Sequence, residues 1–283
     1  MKTRLCKRDL VATSAKYSPR RALCPDRVLQ CYIRNIFGPP SPLIENYLRE
    51  AGFWHVATIG WGCKLDPKLI SALIERWRLE THTYHLPCRE CTITLEDVHL
   101  QLGLPVDGYA VTGSTSSTDW GAICYELLGA IPDKTNGDFR AAGELSWGSI
   151  VLATLYKEMC GAMPPNKAKI GGCLSLLQSW ARFRFLFLRP RVDHLYTFPL
   201  ITRWNYLASY VRLPTSLEDI WLLLDQRSEA EFQWTPYKDP AIRAVILDEF
   251  FQNPNVWHVK VPLVNYATVE MHQSDKVLRQ FGL

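Results

Sequence analysis

His82, His85, Cys88 and Cys91 stand three residues apart throughout and carry side chains that bind zinc, the Cys-x-x-Cys half being a usual half-site. The distance between the halves argues the other way. Structural zinc sites take two ligand pairs from separate loops, whereas two residues divide the pairs here, and strand residues three apart project to opposite faces. The preferred reading makes these four side chains satisfied members of a hairpin. A second set, Arg182, Arg184, Arg189 and Arg191, is interleaved with aromatics in Trp180-Ala-Arg-Phe-Arg-Phe-Leu-Phe-Leu-Arg-Pro-Arg191. That is the composition of a platform for single-stranded nucleic acid, with guanidiniums on the phosphates. The competing reading puts the aromatics in the core and runs the arginines along apolar surface out to water. Cys160, His194, Glu144 and Asp193 are acid–base or nucleophile types that stand in no elbow or triad-like motif. Gly-x-Gly-x-x-Gly, Gly-x-x-x-x-Gly-Lys-Ser/Thr and His-Glu-x-x-His are absent, so no catalytic residue and no cofactor is assigned.

Charge separates the two readings of the arginine run. Residues 1–34 hold nine Lys/Arg against Asp9 and Asp26, a balance of +7, while the whole chain is +4, so everything after Arg34 is −3. A net acidic globular part lacks the basic footprint that nucleic-acid binding ordinarily needs, which leaves such binding as the alternative. The 283 residues, 47% hydrophobic, are enough to bury a substantial core. They read as a basic, poorly ordered leader over 1–41, closed by Gly38-Pro-Pro-Ser-Pro42, and one domain over 42–283. Nine cysteines, an odd number scattered among apolar surroundings, read as reduced thiols in a nuclear or cytosolic protein. No apolar signal segment opens the chain, and the run Ile170–Ala181 falls short of the roughly 20 residues that span a bilayer, so no membrane partner is expected.

The elements that must position these residues are mainly helical. The pattern reads as a mainly α, multi-helix globular domain with short β-hairpins near residues 83–94 and 256–269. Leu43 to Ala51 makes a short helix stopped by Gly52. Asp66 as cap and Pro67 in the first turn start a helix with Leu69, Ile70, Leu73, Ile74 and Trp77 on one face and Glu75, Arg76 and Arg78 on the other. Thr83–Leu86 and Cys91–Thr94 flank a Pro-Cys-Arg-Glu turn as a hairpin. Thr94 caps the next helix with Asp97 in capping-box position; Leu95, Val98 and Leu102 face inward, and Gly103 ends it. Further helices are expected at Asp119–Gly129, Ser146–Cys160, Ala168–Phe187, Leu200–Val211, Thr215–Asp225 with a box from Thr215 to Glu218, and Asp239–Phe251. Residues 256–269 read as a strand pair with Pro262 on an edge, and Ser274–Phe281 as a final amphipathic turn.

Several blocks also stand in a familiar order. They are Trp77 followed by Glu80-Thr-His-Thr-Tyr-His85-Leu86; Cys91-Thr-Ile-Thr94-Leu95-Glu-Asp97-Val; Leu102-Gly103-Leu104-Pro-Val-Asp-Gly108; and Ser146-Trp147-Gly148-Ser149. Ile170-Gly171-Gly172 through Trp180, Arg203-Trp204, and Val269-Glu270-Met-His272 through Arg279 to Phe281 complete the set. From about Pro42 onward the chain thereby resembles the plant mobile domain of the MAIN-like proteins, also termed aminotransferase-like. It departs from that pattern at Arg89, where a Gly is usual, and at His99, where a small or apolar residue is usual. The helical segment that normally lies between Leu127-Leu-Gly129 and Ser146 is largely missing, so the chain reads as a copy shortened between about 129 and 146.

The resemblance implies a non-enzymatic interaction domain in the plant nucleus, the cytoplasm being the other location. Its implied roles are transposon silencing, genome integrity, gene expression and meristem maintenance. It also implies a protein partner, a phosphatase-like protein of the protein phosphatase 7 class among the possibilities. The term aminotransferase implies pyridoxal phosphate, but the strand–helix alternation of such enzymes is missing and no lysine can be placed as a Schiff base. The Gly-Asp-x-His-Gly, Gly-Asp-x-x-Asp-Arg-Gly and Gly-Asn-His-Glu metal motifs of phosphatases are also absent. Two alternatives stand beside the interaction domain: a nucleic-acid-binding domain derived from a transposable element, and a metal- or cofactor-dependent enzyme.

Overall fold

The computed structural model describes residues 27–31, 40–59, 64–87, 89–110, 143–226, 229–252, 254–258, 261–265 and 268–272. The expected helix at 119–129, the turn at 274–281, Cys88 and most of the leader lie outside these residues. The described part is mainly α, with its strands in four small sheets.

Caps decide where the helices begin. After β1 (Gln30–Cys31) come α1 (Glu45–Glu50) and α2 (Trp54–Ala57), parted by Gly52 at φ +74°. The Asp66 carboxylate accepts the N–H groups of Lys68 and Leu69 at 3.0 and 3.2 Å, and Pro67 occupies the first turn of α3 (Pro67–Ile74). This helix is shorter than its apolar spacing predicts. Trp77 leaves it for β2 (Trp77–Arg78), where the indole is fully buried between Tyr84 and Tyr156 and its N–H reaches Cys160 Sγ at 3.2 Å. Glu75, Arg76 and Arg78, expected on the polar face of the helix, therefore lie beyond its end. The hairpin of β3 (Thr83–His85) and β4 (Glu90–Cys91) gains β2 as a third strand, with Trp77 opposite Tyr84 and Tyr84 opposite Cys91 on the inward face.

Thr94 then caps α4 (Leu95–Leu102) as expected. Its Oγ1 accepts the Asp97 N–H at 3.3 Å while Asp97 Oδ2 accepts the Thr94 N–H at 2.9 Å, a capping box with Asp in place of the usual Glu. Gly103 ends the helix in the left-handed region at φ +66°. The long α5 (Trp147–Ala162) follows, then β5 (Lys169–Ile170) and α6 (Leu174–Arg184). The core lies where α4 packs on α5 and α6, α3 packs on α6, and α7 (Leu217–Gln226) closes over α3.

Several expectations are corrected. Ala168–Ile170 is extended, because Gln30 N–H bonds Ala168 O at 2.7 Å and β1 runs parallel to β5; the helix starts only at Leu174. The same contact brings part of the expected leader into the domain: Leu29 is buried, its N–H bonds Ser71 Oγ at 2.8 Å, and Arg27 donates to Pro164 O at 2.6 Å. Leu200–Val211 is a 3-10 turn (Leu200–Asn205) running into β7 (Ala208–Ser209), which pairs with β6 (Arg191–Val192). Ser216, not Thr215, caps α7, its Oγ accepting the Asp219 N–H at 3.0 Å. Asp239 does accept the Ala241 N–H at 2.8 Å, but α8 (Pro240–Arg243) stops early and a separate 3-10 turn covers Asp248–Phe251. The C-terminal hairpin falls at β8 (Val261–Asn265) and β9 (Thr268–His272), with Pro262 opposite Met271 and residues 254–258 forming a 3-10 turn ahead of it.

Gly103 offers a test of this frame, since a Cβ there would lie 2.4 Å from His55 Cβ at a φ that disfavours any side chain. Gly103→Ala is expected to destabilise the fold by about 2–4 kcal/mol, read as a lowered urea midpoint.

Candidate functional site

The structure sends the zinc-type residues to different partners. His82, at φ +52°, stacks on Trp77 and places Nε2 3.2 Å from Glu270 Oε2 of β9. His85 lies on the outward face with Nε2 3.2 Å from Glu90 Oε1, whereas Cys91 is buried on the inward face. Among the described residues no three His, Cys, Asp or Glu side chains gather as a ligand set. The remaining acid–base residues are also spread out: Cys160 sits on α5 under Trp77, Asp193 pairs with Arg191, and His194 stacks on Tyr206. Burial raises the Cys160 thiol despite the Trp77 hydrogen bond and pushes the Cys31 thiol up to about 11, so both stay protonated and unreactive near neutrality.

Many of the blocks that carry the resemblance are joints. Gly148 donates to Pro105 O at 2.8 Å, where a Cβ would meet Val106 at 2.6 Å, and Gly171 donates to Glu158 Oε2 at 2.9 Å. Trp204 Nε1 bonds Ser179 Oγ at 2.7 Å, and Trp147 packs on Phe53. Arg279 and Phe281 lie outside the described residues.

Asp97 is the centre of the charged interior. It is 0% exposed, and beyond its capping role its Oδ1 accepts Arg184 Nη2 at 2.8 Å and the Tyr237 hydroxyl at 2.6 Å. Gln101 Nε2 donates to the same hydroxyl at 2.7 Å, and Arg184 Nη1 donates to Trp234 O. Burial works against the Arg184 charge, but Asp97 beside it more than offsets this and holds the guanidinium above its ordinary range. Burial and the Asp97 charge both raise Tyr237. Neighbouring Glu96 feels the same surroundings: burial first, then Asp97, pushes its carboxyl up to about 7. Burial also lowers His55, His85 and His99, keeping them neutral further into acid.

The arginine run matches neither sequence reading in full. Its aromatics are largely core, with Trp180 and Phe183 fully buried, but Arg182 and Arg184 are buried with them and Arg189 is partly buried. Arg184 is spent on Asp97, and Arg189 donates to the carbonyls of Arg182 and Phe183, both at 2.8 Å. Arg182 is 3% exposed and lies over the Trp204 and Tyr210 rings. Arg191 is fully on the surface, where it pairs with Asp193 at 2.9 Å. The four guanidiniums therefore form no common phosphate track, because the helix end that bears them is wrapped by 185–211 and 232–237.

What that wrapping exposes is apolar. Around β6 and β7, Leu207 is 96% exposed, Leu195 83% and Val211 78%, with Tyr210 half exposed. Arg203 donates to the carbonyls of His194 and Val192 and lies 3.8 Å from the Tyr196 ring centre, which ties the segment after β6 to the turn at 200–205 and gives the rim a fixed base. Reading 200–211 as a helix hid this face. The run Tyr206-Leu-Ala-Ser-Tyr-Val211 does not alternate, and Leu200, Trp204, Leu207 and Val211 fall at helical spacing, so the sequence carried no signal for it.

Two substitutions test the charged interior. Asp97→Asn leaves Arg184 buried without its anion and is expected to cost about 3–5 kcal/mol in urea unfolding, and less in an Arg184→Met background. Glu96 is raised in the folded state, so its contribution is full below the unfolded value of 4.5 and lost as pH rises through about 7. Glu96→Gln should thus stabilise the protein at alkaline pH by on the order of 2–3 kcal/mol, with the gain shrinking as the pH of the melt falls.

With this geometry in view, the comparisons with known proteins are specific. The family model of the plant mobile domain matches residues 52–142 and 136–283. An Arabidopsis thaliana protein named serine/threonine-protein phosphatase 7 long form homolog is 33% identical, over 87% of this chain and 24% of that protein. Protein MAIN-LIKE 1 of the same plant is 30% identical over 84% of the chain and 58% of its own length. Protein MAINTENANCE OF MERISTEMS is 29% identical over 83% and 61% respectively. The chain spans less than two thirds of each of these relatives. No solved structure matches it at comparable stringency. On the extent of the family match, the chain belongs to the plant mobile domain family.

Proposed function

We propose that this chain is a non-enzymatic interaction domain that docks a protein partner in the plant nucleus, through the face around Leu195, Leu207, Tyr210 and Val211. The observation that carries the reading is this exposed aliphatic and aromatic cluster on a rigid base, a surface of the kind that soluble proteins keep for binding. Supporting it, the interior residues that could move protons are committed elsewhere: Asp97 to Arg184 and Tyr237, His82 to Glu270, Cys160 to Trp77. The relatives' names add a context of meristem maintenance, and one relative carries a phosphatase 7 name, which makes a protein of that class a partner to seek. Silencing of transposable elements, genome integrity and gene expression are the processes in which the domain would act.

The shortened segment near 129–146 belongs to the same proposal. The family match falls into two pieces that meet at 136–142. The alignment with the phosphatase-named relative runs over 318 positions, more than the 283 residues of the chain, so that relative carries residues this chain lacks.

The test compares tagged wild-type protein with Leu207→Asp/Val211→Asp in affinity purification from plant nuclei. Because both side chains face water, the double variant should melt within about 1 kcal/mol of wild type. Partners recovered by the wild type should be missing from the variant; an unchanged set would remove this face from the function.

A further inference from the structure

We propose that the partner segment on this face presents a carboxylate beside an aliphatic or aromatic anchor, the carboxylate pairing with Arg182 and the anchor seating against Leu207 and Val211. The inference rests on the reading of this face as a docking surface and adds the chemistry of what docks there. It starts from an unmatched charge. A buried ionised group is ordinarily paired, and Arg184 shows the satisfied case, two residues further along the same helix. Arg182, equally buried, has no carboxylate partner among the described residues. Among them its Nη1 has no hydrogen-bond partner, its Nη2 makes a long 3.5 Å contact with the Tyr210 hydroxyl, and its guanidinium lies over the Trp204 and Tyr210 rings.

Among the described residues no carboxylate is hydrogen-bonded to Arg182. Arg189 and Arg203 add positive charge close by, and their hydrogen bonds go to backbone carbonyls. Arg189 is held below its ordinary range by burial first and by Arg203 as well, with Tyr196 and Asp239 opposing. Asp193, the acid on this rim, is taken by Arg191. A local excess of positive charge thus sits in a part of the chain that is net acidic, which makes the face complementary to an anion.

Tyr210, half exposed, both touches Arg182 and reaches water. Its rotation would admit a carboxylate, replacing the 3.5 Å contact by a charge-assisted bond of about 2.8 Å. The rim decides between classes of macromolecule. Leu195, Leu207 and Val211 would stay wet under a strand of phosphates and stacked bases, whereas apolar peptide side chains would cover them. The Tyr206 ring, the flat surface a base would need, is already stacked on His194 at 3.5 Å.

The experiment selects a random-peptide display library on the full chain and measures the synthesised winners by fluorescence polarisation across a range of NaCl concentrations. Winners are expected to carry Asp or Glu next to Leu, Phe or Trp, to weaken as salt rises, and to lose binding to Leu207→Asp. Arg182→Gln should weaken them by about tenfold or more, and changing the peptide's own acid to its amide should do the same without touching the fold. Winners that need Leu207 but show no acidic preference, or whose amide form binds equally, overturn the carboxylate and leave the docking face standing. Winners indifferent to Leu207→Asp, or none at all, remove the face and this inference with it. A single-stranded oligonucleotide that binds the chain and is lost with Leu207→Asp overturns it in favour of nucleic acid.

Discussion

One carboxylate holds three parts of this structure in register. Asp97 Oδ2 closes the first turn of α4, and Oδ1 takes Arg184 from α6 and Tyr237 from the turn ahead of α8. These elements are far apart in sequence, so loop-closure entropy opposes their meeting; a fully desolvated pair with short hydrogen bonds opposes their parting. Hydrophobic burial supplies the bulk of the driving force, but it is non-directional and would tolerate a helix rotated or slipped along its groove. The ion pair does not. It fixes which face of α6 turns inward and therefore which residues at the end of that helix become interior.

That choice explains the unusual interior of the arginine run. With Arg184 turned toward Asp97, Phe183 packs against Trp204, Tyr196 and Tyr237, and Arg182 falls beside Trp204 and Tyr210. Arg189 then caps the carbonyls of Arg182 and Phe183 that the ending helix leaves open, as a basic residue after a helix C-terminus is placed to do. The chain from 185 to 211 is thus layered over guanidiniums and rings, with Leu188, Val192, Leu200 and Ile201 turned into the core and Leu195, Leu207 and Val211 left facing outward.

The parts of the fold legible in the sequence were those written locally. Asp66-Pro67, Thr94 with Asp97, and Gly103 each specify a helix end by chemistry within four residues, and each does what its type predicts. What distant residues decide was not legible. Trp77 fits the helical stripe of α3, yet pairing with Tyr84 and packing on Tyr156 draw it into a strand. Ala168–Ile170 has no strand signature and is extended because β1 lies beside it. The Asp97–Arg184 pair spans 87 positions, and no spacing rule reaches that far. For the candidate face, composition identified the arginines and aromatics, but only the wrapping by 185–211 showed that Arg182 and Arg184 lie inside and that Leu207 and Val211 do not.

The pairing of β1 with β5 changes what counts as the unit of folding. The family model begins its match at residue 52, which taken alone would place the edge of the domain there. Contacts place it earlier. Leu29 sits in the core, its N–H is held by the hydroxyl of Ser71 on α3, and Arg27 clasps the carbonyls that follow α5. A short strap ahead of the residues that the family model matches thus joins two of the domain's helices. The model's boundary and the boundary drawn by contacts are different residues in this chain, and a fragment cut at the former would leave the face that Leu29 covers open to water.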